Sequence, residues 1–222
     1  MRLRPRFLFN RMSSSPLRLT VLLSGSGRTL QNFIDRIQAG NLPAQIMQVI
    51  SSHPEAQGLE RARKHGILHQ AIDYRQHRGE DREAFSKAVT EAVDRGQPDL
   101  VAMAGFIRRW IFPGRYEGKV MNIHPALLPA FGGKGFYGDK VHEAVLRSGA
   151  KFSGCTVHFA SLEFDEGPII LQRVIPVQPG DTPRSLADRV FLDECIAYPE
   201  AIRYFAQGRL EIRGGLVIIR SS

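Results

Sequence analysis

An amide, an imidazole and a carboxylate stand in two short proline-containing motifs of this 222-residue chain. Asn122 and His124 belong to Asn-Ile-His-Pro, and their i, i+2 spacing puts both side chains on one face of an extended segment. Pro125 favours extended backbone for His124, and Asp165 opens the second motif, Asp-Glu-Gly-Pro. Amide and imidazole N–H groups can donate to an oxygen that gains negative charge, and a carboxylate can orient the imidazole or assist proton transfer. These residue types predict acyl transfer by carbonyl addition, without a metal.

The order of apolar segments predicts the elements that position these groups. Strand, turn and helix alternate from Leu17 onward, which is typical of a Rossmann-like, doubly wound α/β fold with a mostly parallel sheet and helices on both faces. Strands are predicted at residues 17–23, 45–51, 69–73, 100–104, 120–123, 154–159 and 169–177. Helices are predicted at residues 29–39, 55–64, 82–95 and 140–147, and a long helix capped by Thr182 reaches Phe205. A hairpin is predicted at residues 209–212 and 216–219.

Composition bounds the domain count and the partners. With 43% hydrophobic and 23% charged residues the chain can bury a core, so we expect one domain over residues 17–222. Residues 1–16 contain arginine and serine but no acid, and we expect a disordered extension rather than a targeting signal. The net charge of +8 suits an anionic small substrate, whereas no run of lysines and aromatics favours nucleic acid. No segment is long and apolar enough to span a membrane.

Cysteine and histidine patterns argue against disulfide and metal chemistry. Cys155 and Cys195 are widely spaced and lack a Cys-x-x-Cys partner, so we expect two reduced thiols in a cytoplasmic protein. Metal-ligand spacing is missing among five other histidines, which we interpret as surface or packing residues: His53, His65, His69, His77 and His142. His158 falls in a predicted strand beside the motifs, where a core position or a supporting role for the site are both open.

A glycine-containing turn joins the first predicted strand to the first predicted helix. It reads Ser-Gly-Ser-Gly-Arg-Thr-Leu over residues 24–30. Small residues there expose backbone N–H groups at a helix N-terminus, which attracts anions. The turn is neither a Walker A motif nor a complete dinucleotide fingerprint. By itself it predicts either a phosphate cradle or a purely structural tight turn.

Together the motifs resemble the folate-dependent formyltransferases, and within them the phosphoribosylglycinamide formyltransferases of purine biosynthesis. The resemblance is carried by Asn-Ile-His-Pro at 122–125, Leu-Leu-Pro-Ala-Phe at 127–131, Val-His-Phe at 157–159 and Asp-x-Gly-Pro-Ile-Ile-Leu-Gln at 165–172. It extends over nearly all of residues 17–210. It implies direct attack of the amine of glycinamide ribonucleotide on the formyl group of 10-formyltetrahydrofolate, without a covalent enzyme intermediate. The substrates would be small molecules only. The protein would be a monomer or a homodimer.

The resemblance also implies a role for each matching residue. Asn122 and His124 would stabilise the oxyanion, while Asp165 would hold His124 and assist proton transfer. Glu194 would contact the acceptor. The remaining binding residues form two groups. The acceptor's phosphate would lie on Gly25, Ser26, Gly27, Arg28 and Thr29. The folate would lie against Phe106, Ile107 and Arg108.

Three departures from the family pattern leave the acceptor open. Arg28 and Thr29 replace the usual Ser-Asn pair of the glycine turn, and Phe191 and Cys195 replace polar residues near Glu194. The loop at residues 131–138 is also longer than usual. One alternative is therefore a formyltransferase for a different amine acceptor. A second is a non-catalytic relative that binds a folate or nucleotide.

Overall fold

A computed structural model describes residues 7–8, 15–77 and 82–221 of the protein. Its strands are β1 Phe7–Leu8, β2 Leu17–Leu23, β3 Ala44–Ser51, β4 His69–Ala71, β5 Leu100–Met103, β6 Val120–His124, β7 Phe152–Phe159, β8 Ile169–Pro176, β9 Leu210–Arg213 and β10 Leu216–Ile219. Its helices are α1 Arg28–Gln38, α2 Gln57–Lys64, α3 Arg82–Gly96, α4 Asp139–Ser148 and α5 Pro183–Ala206. Short 3-10 helices lie at Tyr74–Gln76 and Gly114–Tyr116.

The strands form a mostly parallel α/β sheet, which confirms the predicted Rossmann-like fold class. Seven strands follow the order β4-β3-β2-β5-β6-β7-β8, and the pairs of β2 with β3 and β5, and of β3 with β4, are parallel. β7 and β8 pair antiparallel. Every side chain of β5 and nearly every one of β2 is buried, as expected for strands covered on both faces.

The described residues fold into two compact units, one within Ser13–Met121 and the other made of Asn122–Ser222 together with β1. In the first unit, loops at the carboxyl ends of β2, β3 and β5 belong to one edge, because those strands are parallel. In an open α/β sheet that edge is where ligands bind. The prediction of one domain over residues 17–222 stays a prediction.

The unit that contains Asn122–Ser222 is organised around α5. Thr182 and Ser185 form a capping box at its start, in which Thr182 Oγ1 accepts a hydrogen bond from Ser185 N at 3.1 Å. The apolar side of the helix buries Leu186, Val190 and Tyr198. The predicted cap is confirmed, and the helix ends at Ala206, one residue beyond the predicted end.

Two of the differences from the predicted elements have identifiable causes. The strand predicted at residues 69–73 is β4, which ends at Ala71 because Asp73 caps the 3-10 helix that begins at Tyr74. The second difference is a three-stranded sheet, β1-β9-β10. In it β1, which belongs to the predicted N-terminal extension, pairs with β9. Residues 1–6 and 9–14 lie outside the described residues, so disorder of the extension stays a prediction. Among the described helices, none combines the length and apolar character needed to cross a membrane.

Candidate active site

Strand β6 presents Asn122 and His124 on one face, as their i, i+2 spacing predicts. His124 is the last residue of the strand and is buried, whereas Asn122 is half-buried. The Asp165 side chain, only 8% exposed, lies next to both of them. The structure therefore brings together the three groups that the sequence singled out.

Asp165 is the centre of this cluster. Its Oδ1 accepts a hydrogen bond from Asn122 Nδ2 at 3.3 Å and lies 3.7 Å from His158 Nε2. Its Oδ2 accepts a hydrogen bond from the backbone N–H of Gly133 at 2.9 Å and lies 3.4 Å from His124 Nδ1. Both carboxylate oxygens of this buried side chain thus face donors or imidazole nitrogens.

Backbone carbonyls determine which nitrogen of each imidazole carries a proton. His124 Nε2 lies 2.8 Å from the Phe131 carbonyl oxygen, and His158 Nδ1 lies 2.9 Å from the Phe159 carbonyl oxygen. A carbonyl oxygen can only accept, so these two nitrogens carry the ring protons. In neutral His124 the bare nitrogen is Nδ1, which faces Asp165. In neutral His158 the bare nitrogen is Nε2.

The same logic fixes the orientation of the Asn122 amide. Its Nδ2 lies 3.2 Å from His158 Nε2 and 3.3 Å from Asp165 Oδ1, and both of those atoms accept. The amide nitrogen must therefore face them, with the amide oxygen turned away. Its two N–H groups are both engaged, so His158 and Asp165 together orient Asn122.

Burial and neighbouring charges move the pKa values of the pair in ways that favour a neutral imidazole beside an ionised carboxylate. Burial lowers the pKa of His124 and outweighs the opposite effects of Asp165 and the Phe131 carbonyl. Burial alone would raise the pKa of Asp165. Interactions with the His158 and His124 imidazoles and the hydrogen bond from the Gly133 N–H together hold that pKa below its ordinary value.

Two residues of the site adopt a left-handed backbone conformation that is uncommon for side chains with a Cβ. Phe131 has φ 55° and Asp165 has φ 58°. Such strain persists only where the surroundings enforce it, and it concentrates at functional sites. Here the two strained residues supply the carbonyl and the carboxylate that contact His124.

The glycine of Asp-Glu-Gly-Pro is explained by close backbone packing. A Cβ on Gly167 would lie 1.7 Å from the Phe159 carbonyl oxygen, and Phe159 N donates to the Pro168 carbonyl oxygen at 2.9 Å. No side chain fits there. The motif therefore fastens the segment that carries Asp165 against the end of β7.

A polar network built on the buried Thr156 holds the segment that follows His124. Thr156 Oγ1 donates to the Ala126 carbonyl oxygen at 2.6 Å and accepts from Leu128 N at 3.0 Å. Gln172 Nε2 donates to Thr156 Oγ1 at 2.9 Å and to the Leu128 carbonyl oxygen at 3.0 Å. β7 and β8 thus position the turn after His124 through Thr156 and Gln172.

In the other unit, the glycine turn leads directly into α1. Gly27 is its N-cap, with φ 70° and no side-chain cap, so the first helical amides are not capped by that residue. A Cβ on Gly27 would lie 2.6 Å from Gly58 Cα, so the turn is pressed against the start of α2. Arg61 Nε donates to the Ser26 carbonyl oxygen at 2.9 Å and holds the turn from the other side. Arg28 is the exposed first residue of α1.

The predicted folate residues lie on the loop after β5 in that unit. Phe106 is buried, Ile107 is exposed and Arg108 is half-buried. Ser24 accepts a hydrogen bond from Ile107 N at 3.1 Å through Oγ, and Ser24 N donates to the Gly105 carbonyl oxygen at 3.0 Å. The loop is therefore tied to the start of the glycine turn.

Glu194 lies on α5 close to Cys155 of β7. Burial raises the pKa of the Cys155 thiol to about 12, and the charges of Glu194 and Asp193 add to that effect. Arg173 of β8 pairs with Asp193, the residue before Glu194. Phe191 and Cys195 are both half-buried. Glu194 therefore lies beside the strand that also carries His158.

Several residues that build the site escape prediction from the sequence. The Phe131 carbonyl and the Gly133 N–H are backbone groups and carry no residue-type signal. His158 had a signal, because it alternates into β7 beside the motif. The five other histidines form no metal cluster with acids or cysteines in the part of the chain that the structure describes.

Comparisons with known proteins agree with the motifs. A family model described as formyl transferase matches residues 17–202. Phosphoribosylglycinamide formyltransferase of Escherichia coli (strain K12) is 36% identical over 203 residues, which cover 88% of this chain and 90% of that protein. The crystal structure of glycinamide ribonucleotide transformylase 1 from Symbiobacterium toebii has a TM-score of 0.86 and 40% identity, covering 96% of this chain and 98% of that one.

Other relatives are much longer. Trifunctional purine biosynthetic protein adenosine-3 of Bos taurus is 38% identical over 209 residues, which cover 92% of this chain and 20% of that protein. The chain thus spans about a fifth of the length of the trifunctional relatives that it matches. The resemblance stated from the motifs is confirmed. The chain belongs to the formyl transferase family, and within it to the phosphoribosylglycinamide formyltransferases.

Proposed function

We propose that the protein transfers the formyl group of 10-formyltetrahydrofolate to the amine of glycinamide ribonucleotide, a step of purine biosynthesis. The observation that carries the proposal is the buried cluster of Asn122, His124 and Asp165, in a chain that belongs to the phosphoribosylglycinamide formyltransferases. The cluster offers N–H donors and a carboxylate, which are the groups that carbonyl addition needs.

The reaction proceeds by direct attack. The amine lone pair forms a bond to the formyl carbon, and the carbonyl electrons move onto oxygen. Collapse of this tetrahedral species breaks the bond to N10 of the folate. The acceptor nitrogen loses one proton and N10 gains one, so the step needs no oxidant and no covalent enzyme intermediate.

Asn122 and His124 act as donors to the oxyanion, and Asp165 holds His124 and assists the transfer of the amine proton. Both N–H groups of Asn122 and the Nε2–H of His124 are engaged within the protein. Formation of the oxyanion therefore exchanges at least one of these bonds for a bond to substrate. A proton taken up by His124 Nδ1 is stabilised by Asp165, 3.4 Å away.

The remaining site residues bind the two substrates, as the family resemblance implies. The phosphate of the acceptor binds the amides of the turn into α1, aided by the Arg28 charge, and the folate lies on the loop that carries Arg108. Glu194 contacts the acceptor. The full set of turn and loop residues is Gly25, Ser26, Gly27, Arg28, Thr29, Phe106, Ile107 and Arg108.

The partners and the compartment follow from the same proposal. The substrates are two small molecules, and the protein acts as a monomer or homodimer. The reaction takes place in the cytoplasm, in keeping with two cysteines, Cys155 and Cys195, that are both free.

The test is a spectrophotometric assay of formyl transfer from a 10-formyl folate to glycinamide ribonucleotide, with Asp165→Asn as the matched variant. The variant keeps the shape of the side chain but removes its charge. We expect turnover by the wild-type protein and a loss in kcat of about a hundredfold or more in the variant. Equal turnover by both proteins would exclude the role of Asp165. Folate binding without turnover would redirect the search to another amine acceptor.

A further inference from the structure

The guanidinium of Arg108 lies over the ring of Tyr74, with its Cζ 4.3 Å from the ring centroid. At this distance the cation is attracted to the negative face of the ring. Among the described residues, none accepts a hydrogen bond from Arg108. The stacking uses one face of the guanidinium and leaves its N–H edge available to an anion.

The Tyr74 ring is held in place by other aromatic rings. Phe85 meets it edge to face, with centroids 5.1 Å apart and an interplanar angle of 88°. Phe85 is fully buried and stacks on Phe106 at 6.3 Å. The platform beneath Arg108 is therefore anchored in the core of the unit, and part of it comes from Phe106, two residues from Arg108 itself.

Backbone hydrogen bonds tie both partners to neighbouring strand ends. Tyr74 N donates to the Ser52 carbonyl oxygen at 3.1 Å, and the Ser52 and Ser24 hydroxyl oxygens lie 2.6 Å apart. Ser24 Oγ also accepts from Ile107 N at 3.1 Å. The 3-10 helix of Tyr74 and the loop of Arg108 are thus fixed at the ligand-binding edge of β2, β3 and β5.

The acid next to Tyr74 in the sequence does not neutralise Arg108. Asp73 instead pairs with Arg75, whose guanidinium donates to both carboxylate oxygens. This pairing lowers the pKa of Asp73 and keeps its charge compensated locally. The Arg108 charge thus remains available for a ligand.

We propose that Tyr74 is a positioning residue that holds Arg108 as the receptor for carboxylates on the glutamate tail of the folate donor. The proposal rests on the proposed function, because a folate donor supplies those carboxylates. A flexible arginine would lose side-chain entropy on binding the tail, whereas one stacked on a fixed ring has already lost much of it. Tyr74 therefore contributes to donor affinity and not to the formyl transfer step.

The experiment measures KM for 10-formyltetrahydrofolate and for 10-formyltetrahydropteroate, which lacks the glutamate tail. It uses the wild-type protein, Tyr74→Leu and Tyr74→Phe. We expect Tyr74→Leu to raise KM for the tailed donor about threefold to tenfold, the range of one cation–π contact. KM for the tail-less donor, KM for the acceptor and kcat stay within twofold. Tyr74→Phe keeps the ring face and retains the wild-type KM.

A matched control removes another arginine–tyrosine stack far along the chain. Arg209 lies over Tyr204 at 4.7 Å, at the end of α5. Tyr204→Leu should leave the difference between the two donors unchanged. Thermal unfolding of each variant monitors any general loss of structure.

Two results would overturn the inference. One is an equal change in KM for tailed and tail-less donors in Tyr74→Leu, which would mean that the ring only packs. The other is an unchanged KM for both donors. If the wild-type protein shows no turnover, the proposed function fails separately. Fluorescence titration with the two folates then decides the role of Tyr74 by the same comparison of affinities.

Discussion

The side chain of Thr156 shows how a residue without acid–base chemistry can determine the geometry of the candidate site. Its hydroxyl makes three hydrogen bonds, to the Ala126 carbonyl, the Leu128 N–H and Gln172. The first two partners belong to the buried backbone just after His124, and Gln172 lies on β8. Loss of the hydroxyl would leave backbone groups unsatisfied, which costs about 1 to 3 kcal/mol for each buried group. The turn would then shift and carry His124 with it.

We predict that Thr156→Val lowers kcat by about tenfold or more, with both KM values within threefold, because displacement of a catalytic group by about 1 Å is costly. Thr156→Ser retains the hydroxyl and should keep most of the activity. Steady-state kinetics with each substrate varied in turn provide the measurement. Full kcat in Thr156→Val, in a protein that unfolds at a lower temperature than the wild type, would mean that the network only stabilises the fold.

At the scale of elements, the turn between β2 and α1 depends on one close approach. Gly27 and Gly40 share a left-handed backbone, with φ 70° and 72°. A Cβ added to Gly27 would lie 2.6 Å from Gly58 Cα, whereas a Cβ added to Gly40 would have no neighbour within 4 Å. Alanine variants of these two glycines therefore distinguish the cost of the left-handed backbone from the effect of displacing the turn.

We predict that Gly27→Ala raises KM for the phosphate-bearing acceptor tenfold or more, because the turn must move away from α2 and its amides lose their alignment. Gly40→Ala should lose only about 1 kcal/mol of stability from backbone strain and retain the wild-type KM. Kinetics and urea unfolding of both variants distinguish the two effects. Equal acceptor KM values in both variants would place the phosphate elsewhere.

Elements with strong local signals were predictable, whereas contacts between distant segments were not. The continuous apolar run of β2 and the Thr182 cap of α5 define their own boundaries. β1 has only two residues and forms by pairing with β9, so no local sequence pattern predicts it. In the site, residue types identified Asn122, His124 and Asp165. The Phe131 carbonyl and the Tyr74 platform arise from tertiary packing and carry no comparable signature.

At the scale of the whole molecule, buried ionisable groups make stability depend on pH. Burial lowers the pKa of His142, and it also lowers the pKa of His124. Nδ1 of His142 has no hydrogen-bond partner among the described residues. In the unfolded chain both rings bind protons near their ordinary value of 6.5, so below that pH the unfolded state holds more protons and is favoured. Protonation of Asp165 also lowers the free energy of unfolding, at pH values around and below its ordinary pKa of 3.8.

We therefore predict that the free energy of unfolding falls as the pH is lowered from about 7.5 to 5.5, by up to about 1.4 kcal/mol per pH unit for each proton that only the unfolded state binds. Replacing His142 with Gln removes one of these groups and should flatten the slope by up to that amount, even if the variant is less stable at pH 7.5. Urea unfolding at several pH values measures the slope. Parallel curves for the wild type and His142→Gln would show that His142 is protonated equally in both states. A loss of stability that begins only below about pH 4 would assign the effect to carboxylates such as Asp165.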